Sequence, residues 1–125
     1  MIRLLLLTLL SLPLQAKHLY YEKVYQKTFC ETLQGQTEVV LSDKTRIDCL
    51  SQEYAIEVDF APKWHESIGQ SLFYALSTNK QAGVLLILEN EKRDMRYLQR
   101  LKKVAHKSNI SIWTINTKMQ IKRIF

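Results

Sequence analysis

The stretch RIDCLSQEYAIEVDFAPKWHESIGQSLFY, residues 46–74, decides the fold. Within it Tyr54, Ile56, Val58 and Phe60 alternate with Ala55, Glu57 and Asp59, the period-two pattern of a strand. Ser51 to Glu53 is a turn that joins this strand to a shorter one, Thr45 to Leu50. Pro62 ends the alternation. Ile68, Leu72, Ala75 and Leu76 then recur at helical spacing over His65 to Ser77, an amphipathic helix laid on the sheet.

Upstream, Thr37 to Leu41 is β-branched and apolar and is followed by the turn Ser42 to Lys44, so it pairs with Thr45 to Leu50 as a hairpin. Val24, Phe29 and Leu33 predict a first helix over Tyr20 to Leu33, with Gly35 just past its end. Downstream, Gly83 opens the apolar run Val84 to Leu88, a strand buried on both faces. Asp94 is expected to cap a third helix carrying Met95, Leu98, Leu101 and Ala105, with Asn109 at its end, and Ile110 to Ile115 is the last expected strand. Helix, three strands, helix, strand, helix, strand is an α/β order, one domain with a central mixed sheet flanked by helices.

At 125 residues, 46% hydrophobic and 24% charged, the chain has the size and composition of one ordinary globular domain. No repeat or low-complexity tract divides it. Met1 to Ala16 has the parts of a secretory signal peptide: Arg3 as the positive start, Leu4 to Leu14 as the apolar centre, and Ala16 at the cut. The apolar run is shorter than the roughly 20 residues of a membrane-spanning helix, so an exported domain over 17–125 is expected, periplasmic or secreted, without stable membrane insertion. Without that segment the chain keeps 17 of its 18 basic residues and all 12 acids, net +5, a surplus compatible with phosphate or anionic lipid. Cys30 and Cys49 belong to no CxxC or Cys/His cluster, which argues against structural zinc and, in an oxidising compartment, for a disulfide between them.

The chemistry-bearing residues lie on the hairpin and the strand after it. Asp48 falls on one strand, and Glu57 and Asp59 project from one face of the next. A three-residue turn between those strands brings Asp48 and Glu57 within a few ångströms, where two carboxylates repel unless a cation lies between them. Mg²⁺, which takes a few carboxylate oxygens plus waters, suits such a place. The bland alternative is a solvated strand surface.

In this order Asp48, Glu57-Val58-Asp59 and Gln70-Ser71-Leu72-Phe73-Tyr74 resemble the core of the PD-(D/E)xK nuclease superfamily, including the Gln-x-x-x-Tyr of its RecB-like branch. The segment Arg46 to Tyr74 is also similar to small bacterial members in which Ala-Ile-Glu-Val and Gly-Gln recur. The resemblance implies an αβββαβ(αβ), restriction-endonuclease-like core. It implies nuclease activity with Mg²⁺ or Mn²⁺ on nucleic acid, DNA favoured over RNA. Asp48 and Glu57 become metal ligands, and Gln70 and Tyr74 orient the substrate strand or the site's backbone. It also implies an earlier acid as an outer ligand, with Glu38 the better match and Glu31 the alternative.

The usual lysine position holds Asp59, so Lys63, four residues later, is the candidate for positioning water. That departure keeps two rivals open: a catalytically silent member of the same fold that binds nucleic acid or a protein, and an exported accessory protein stapled by its disulfide. Lys102, Lys103 and Lys107 read first as a solvated helix face, and Trp64 and Trp113 as core. No glycine-rich phosphate loop, Gly-x-Ser-x-Gly or oriented Cys/His pair is present.

Overall fold

The computed structural model describes residues 18–125, so the signal-peptide segment Met1 to Ala16 lies outside the described residues. In chain order the elements are α1 (Glu22–Thr32), β1 (Gln36–Val40), β2 (Arg46–Leu50), β3 (Tyr54–Phe60), a 3₁₀ turn (Ala61–Lys63), α2 (Trp64–Thr78), β4 (Gln81–Leu88), α3 (Glu91–Ser108), β5 (Ser111–Asn116) and β6 (Ile121–Arg123). The strands form one sheet in sequence order, antiparallel from β1 to β3 and between β5 and β6, and parallel through β3, β4 and β5. The mixed α/β sheet expected from the sequence is therefore the one observed.

Parallel strands need crossovers, and α2 and α3 supply them. Both pack on one face, where Val84, Leu86 and Leu88 meet Leu98, Leu101 and Ala105. The other face carries Ile56, Val58, Leu85, Ile87 and Trp113 against Tyr25 and Phe29 of α1. The three central strands thus bury both faces, which is why they are nearly continuous apolar runs. Gly83 is the gap in that run for a reason: a Cβ there would lie 2.9 Å from both Ile56 and Trp113.

Cys30 and Cys49 form the expected disulfide, tying the end of α1 to β2 with their Cα atoms 5.7 Å apart. Gly35 follows because a Cβ at that position would sit 2.8 Å from Cys30 Sγ and 3.0 Å from Cys49 Sγ. Among the described residues no helix is long and apolar enough to cross a membrane.

Three expectations need correction. Asn90, not Asp94, caps α3: its Oδ1 accepts the Arg93 N–H at 3.0 Å, while Asp94, inside the helix, accepts the Asn90 N–H at 3.2 Å. β4 begins at Gln81, three residues before the apolar run, because Tyr54 and Ala55 pair with Gln81 and Ala82. The edge strand β6 was not expected. It is held by pairing with β5 through Trp113↔Arg123 to Ile115↔Ile121, which a three-residue segment does not announce.

Candidate active site: a buried carboxyl cluster

β2 pairs with β3 through Cys49↔Ile56 and Leu50↔Ala55. Beyond that point Asp48 Oδ2 accepts the Val58 N–H at 2.7 Å, so a side chain takes the place of a ladder carbonyl. Cys49 packs on the α1 face while Ile47, two residues away, packs with Ala55 and Tyr74 on the α2 face. Residues two apart on a straight strand share a face, so β2 twists at Asp48. Opposite it, between the pairs Thr37↔Cys49 and Val39↔Ile47, Glu38 adopts φ 57°, a left-handed conformation rare for a side chain of its size. Gln26 of α1 fastens the kink by donating to the Asp48 carbonyl at 2.7 Å and to Glu38 at 3.3 Å.

Carboxyl groups collect where the β2–β3 ladder ends at the kink. Glu57 and Asp59, each 7% exposed, project from β3, and the Glu57 carboxyl is in hydrogen-bonding contact with that of Asp48. Burial first, and then the charges of Asp48 and Asp59, hold the Glu57 carboxyl far above the usual carboxylate range. Burial raises Asp48 as well, partly offset by the Val58 N–H. Asp59 is pushed up to about 7, by burial and then by Glu22 and Asp48. Two buried carboxyl groups this close do not both ionise unless a cation joins them. Glu57 Oε2 and Asp59 Oδ2 are buried with no hydrogen-bond partner.

Glu22 is the residue that sequence reasoning missed. At the start of α1, its carboxyl is pushed up to about 7 by burial and then by Asp48, with Lys63 opposing. The signal was present: Glu22, Gln26, Phe29 and Leu33 follow one helix face, so Glu22 continues the inward stripe by a turn. Glu31, the weighed alternative, is exposed near the other end of α1. Glu38 lies beside the cluster but is engaged by Gln26 and by Arg46 at 3.6 Å.

Lys63, at the end of the 3₁₀ turn, is exposed, and its charge favours the ionised forms of Glu22 and Asp59. Tyr74 is buried against Ile47 and Ala55, and burial, then Glu57 and Asp48, raises its hydroxyl. Gln70, one turn earlier on α2, is exposed and makes no hydrogen bond to the cluster among the described residues. The structure thus brings together Asp48, Glu57, Asp59 and Glu22, places Lys63, Tyr74 and Glu38 at their margin, and leaves Gln70 outside. Among the described residues, no group of three or more His, Cys, Asp or Glu side chains is placed so that it could hold a metal ion.

Comparison with protein-family models, curated proteins and solved structures finds no match to this chain.

Two clefts lie nearby, one of them lined by Glu22. One, of about 630 Å³, is lined by Glu22, Tyr20, Tyr21 and Val24, and the other, of about 650 Å³, by Pro62, Glu89, Arg93, Arg96 and Tyr97. They share His18, Leu19 and Phe60, where the His18 ring stacks on Phe60 with centroids 3.5 Å apart. Glu89 fixes this segment by accepting from the Leu19 N–H at 2.8 Å and by pairing with His18. The clefts lie past the carboxyl ends of β3 and β4, where open α/β sheets bind ligands.

Proposed function

We propose that this protein is a metal-dependent nuclease of the PD-(D/E)xK type that hydrolyses phosphodiester bonds of nucleic acid, DNA in preference to RNA. The observation that carries the reading is the pair of buried, partnerless oxygens, Glu57 Oε2 and Asp59 Oδ2, beside the Asp48 carboxyl. Carboxylates withdrawn from water need a proton or a cation, and above neutral pH a cation is the more available. The donor set is all oxygen, which suits Mg²⁺ or Mn²⁺.

Asp48 and Glu57 would hold the ion, with Asp59 or Glu22 completing the set once their protons leave and Glu38 standing behind as an outer group. Such an ion, when bound, lowers the pKa of water and offsets charge on a phosphate. Lys63 holds the attacking water in place of the lysine that Asp59 displaces. Tyr74 supports the β2 side of the site from α2, and Gln70 presents its amide to the substrate strand. Export to the periplasm or beyond, with removal of Met1 to Ala16, is supported by the Cys30–Cys49 disulfide and by the apolar run Leu4 to Leu14.

A second reading, a silent binding module on the same scaffold, is favoured by Asp59 in the lysine slot and by the direct Asp48–Glu57 contact. One experiment separates the two: incubation of the protein with end-labelled DNA and RNA in Mg²⁺, in Mn²⁺ and in chelator. Cleavage that needs the metal and is lost in Glu57→Gln supports the nuclease. Absence of cleavage with both metals supports the silent module.

A further inference from the structure

We propose that the outer face of α3 is a nucleic-acid rail running to the cleft past the carboxyl ends of β3 and β4. Arg93, Arg96, Arg100, Lys103 and Lys107 are spaced three and four residues apart, so they form one exposed stripe along the helix. At 1.5 Å per residue the stripe is about 21 Å long. The opposite face, Asp94, Leu98, Leu101 and Ala105, is buried. Arg93 is paired with Asp94 at 2.9 Å, and among the described residues no carboxylate lies within salt-bridge distance of the other four. Like charges at these spacings oppose helix formation, so the stripe costs stability unless an anion meets it.

The stripe also runs into a cleft. Arg93 and Arg96 line the cleft that reaches Phe60 and Pro62, and that cleft shares His18, Leu19 and Phe60 with the one containing Glu22. Tyr97 stands in the same wall with the Arg96 guanidinium 4.7 Å from its ring centre and the Arg100 guanidinium 5.7 Å away. Guanidinium groups beside aromatic rings are the combination that grips a single strand, phosphates on the cations and bases on the rings. The rail therefore holds one strand of the substrate and leads it to the stacked His18 and Phe60, beside the cleft that Glu22 lines. This assignment rests on the nuclease reading for its direction, but the binding it describes can be measured without catalysis.

The test uses a fluorescein-labelled 20-nucleotide single strand, the matching duplex and anionic phosphatidylglycerol vesicles, each titrated with the protein in chelator. Expected is a single-strand Kd that rises steeply with salt and lies below that of the duplex. In the triple variant Arg96→Gln, Arg100→Gln, Lys103→Gln it should weaken at least about tenfold, with the salt slope smaller by about 2 to 3, since each lost phosphate contact removes about 0.7 to 0.9. The control Lys27→Gln, Lys44→Gln, exposed away from α3, should bind as the parent does. Unchanged single-strand binding in the triple variant, or binding to vesicles without binding to nucleic acid, would overturn the rail. Binding through the stripe by a protein that cleaves nothing in Mg²⁺ or Mn²⁺ upholds the rail and removes the nuclease.

Discussion

Asp48 Oδ2 accepts the Val58 N–H at 2.7 Å, which fixes the Asp48 carboxyl between β2 and β3 and leaves the N–H dependent on a side chain. Asp48→Asn keeps an acceptor there, whereas Asp48→Ala strands a buried donor at a cost of about 1 to 3 kcal/mol. Chemical denaturation should show a clear loss of stability for the alanine variant and a much smaller one for asparagine. Equal losses would show that the hydrogen bond does not hold the kink.

The disulfide and Gly35 form one packing unit. Cys30 and Cys49 are 19 residues apart, and closing such a loop stabilises a chain by roughly 3 kcal/mol. Reduction should lower the melting temperature markedly. Gly35→Ala, whose Cβ meets both sulfurs at 3.0 Å or less, should destabilise the oxidised protein by about 1 to 3 kcal/mol. If reduction relieves part of that penalty, the clash lies where the structure places it.

Stability should also depend on pH in an unusual direction. Glu22 and Asp59 titrate near 7 in the folded chain and near 4 when unfolded, so between those values the folded state binds more protons. Stability contributed by these groups is therefore present below about pH 4 and lost as pH rises through about 7. Without divalent ions the melting temperature should fall from pH 5 to pH 8, and Mg²⁺ should restore it at pH 8 by replacing the protons. Equal melting temperatures at pH 8 with and without Mg²⁺ would count against cation binding.

Much of this was legible in residues 46–74. The alternation of β3 is strong because the strand is central, and the short turn that pairs Cys49 with Ile56 puts Asp48 and Glu57 on neighbouring strands. Glu22 was less legible, since an acid in the first turn of a helix is ordinarily explained by the helix dipole, and only its place on the inward face of α1 distinguishes it. The backbone of Glu38 was not legible: its left-handed conformation follows from the kink opposite, not from any preference of glutamate. The cap of α3 was misassigned because Asn90 and Asp94 are both good caps and bond to each other's helix turn. β6 depends wholly on its partner strand.

Lys63 ends the 3₁₀ turn that contains Pro62, and its stem lets the ammonium act on Glu22 and Asp59. Lys63→Ala should reduce cleavage by at least about 100-fold while leaving Mg²⁺ affinity within a few-fold, the pattern of a group that positions water. Retained cleavage would move that role to another residue.

The central claim is that Asp48, Glu57 and their neighbours form a divalent-cation site, and calorimetric titration of the protein with Mn²⁺ at pH 7.5 tests it most directly. Saturable binding accompanied by proton release is expected, as carboxyls held protonated by burial give way to the ion, and Glu57→Gln should abolish it. An absence of saturable binding, or binding equally strong in Glu57→Gln, would contradict it.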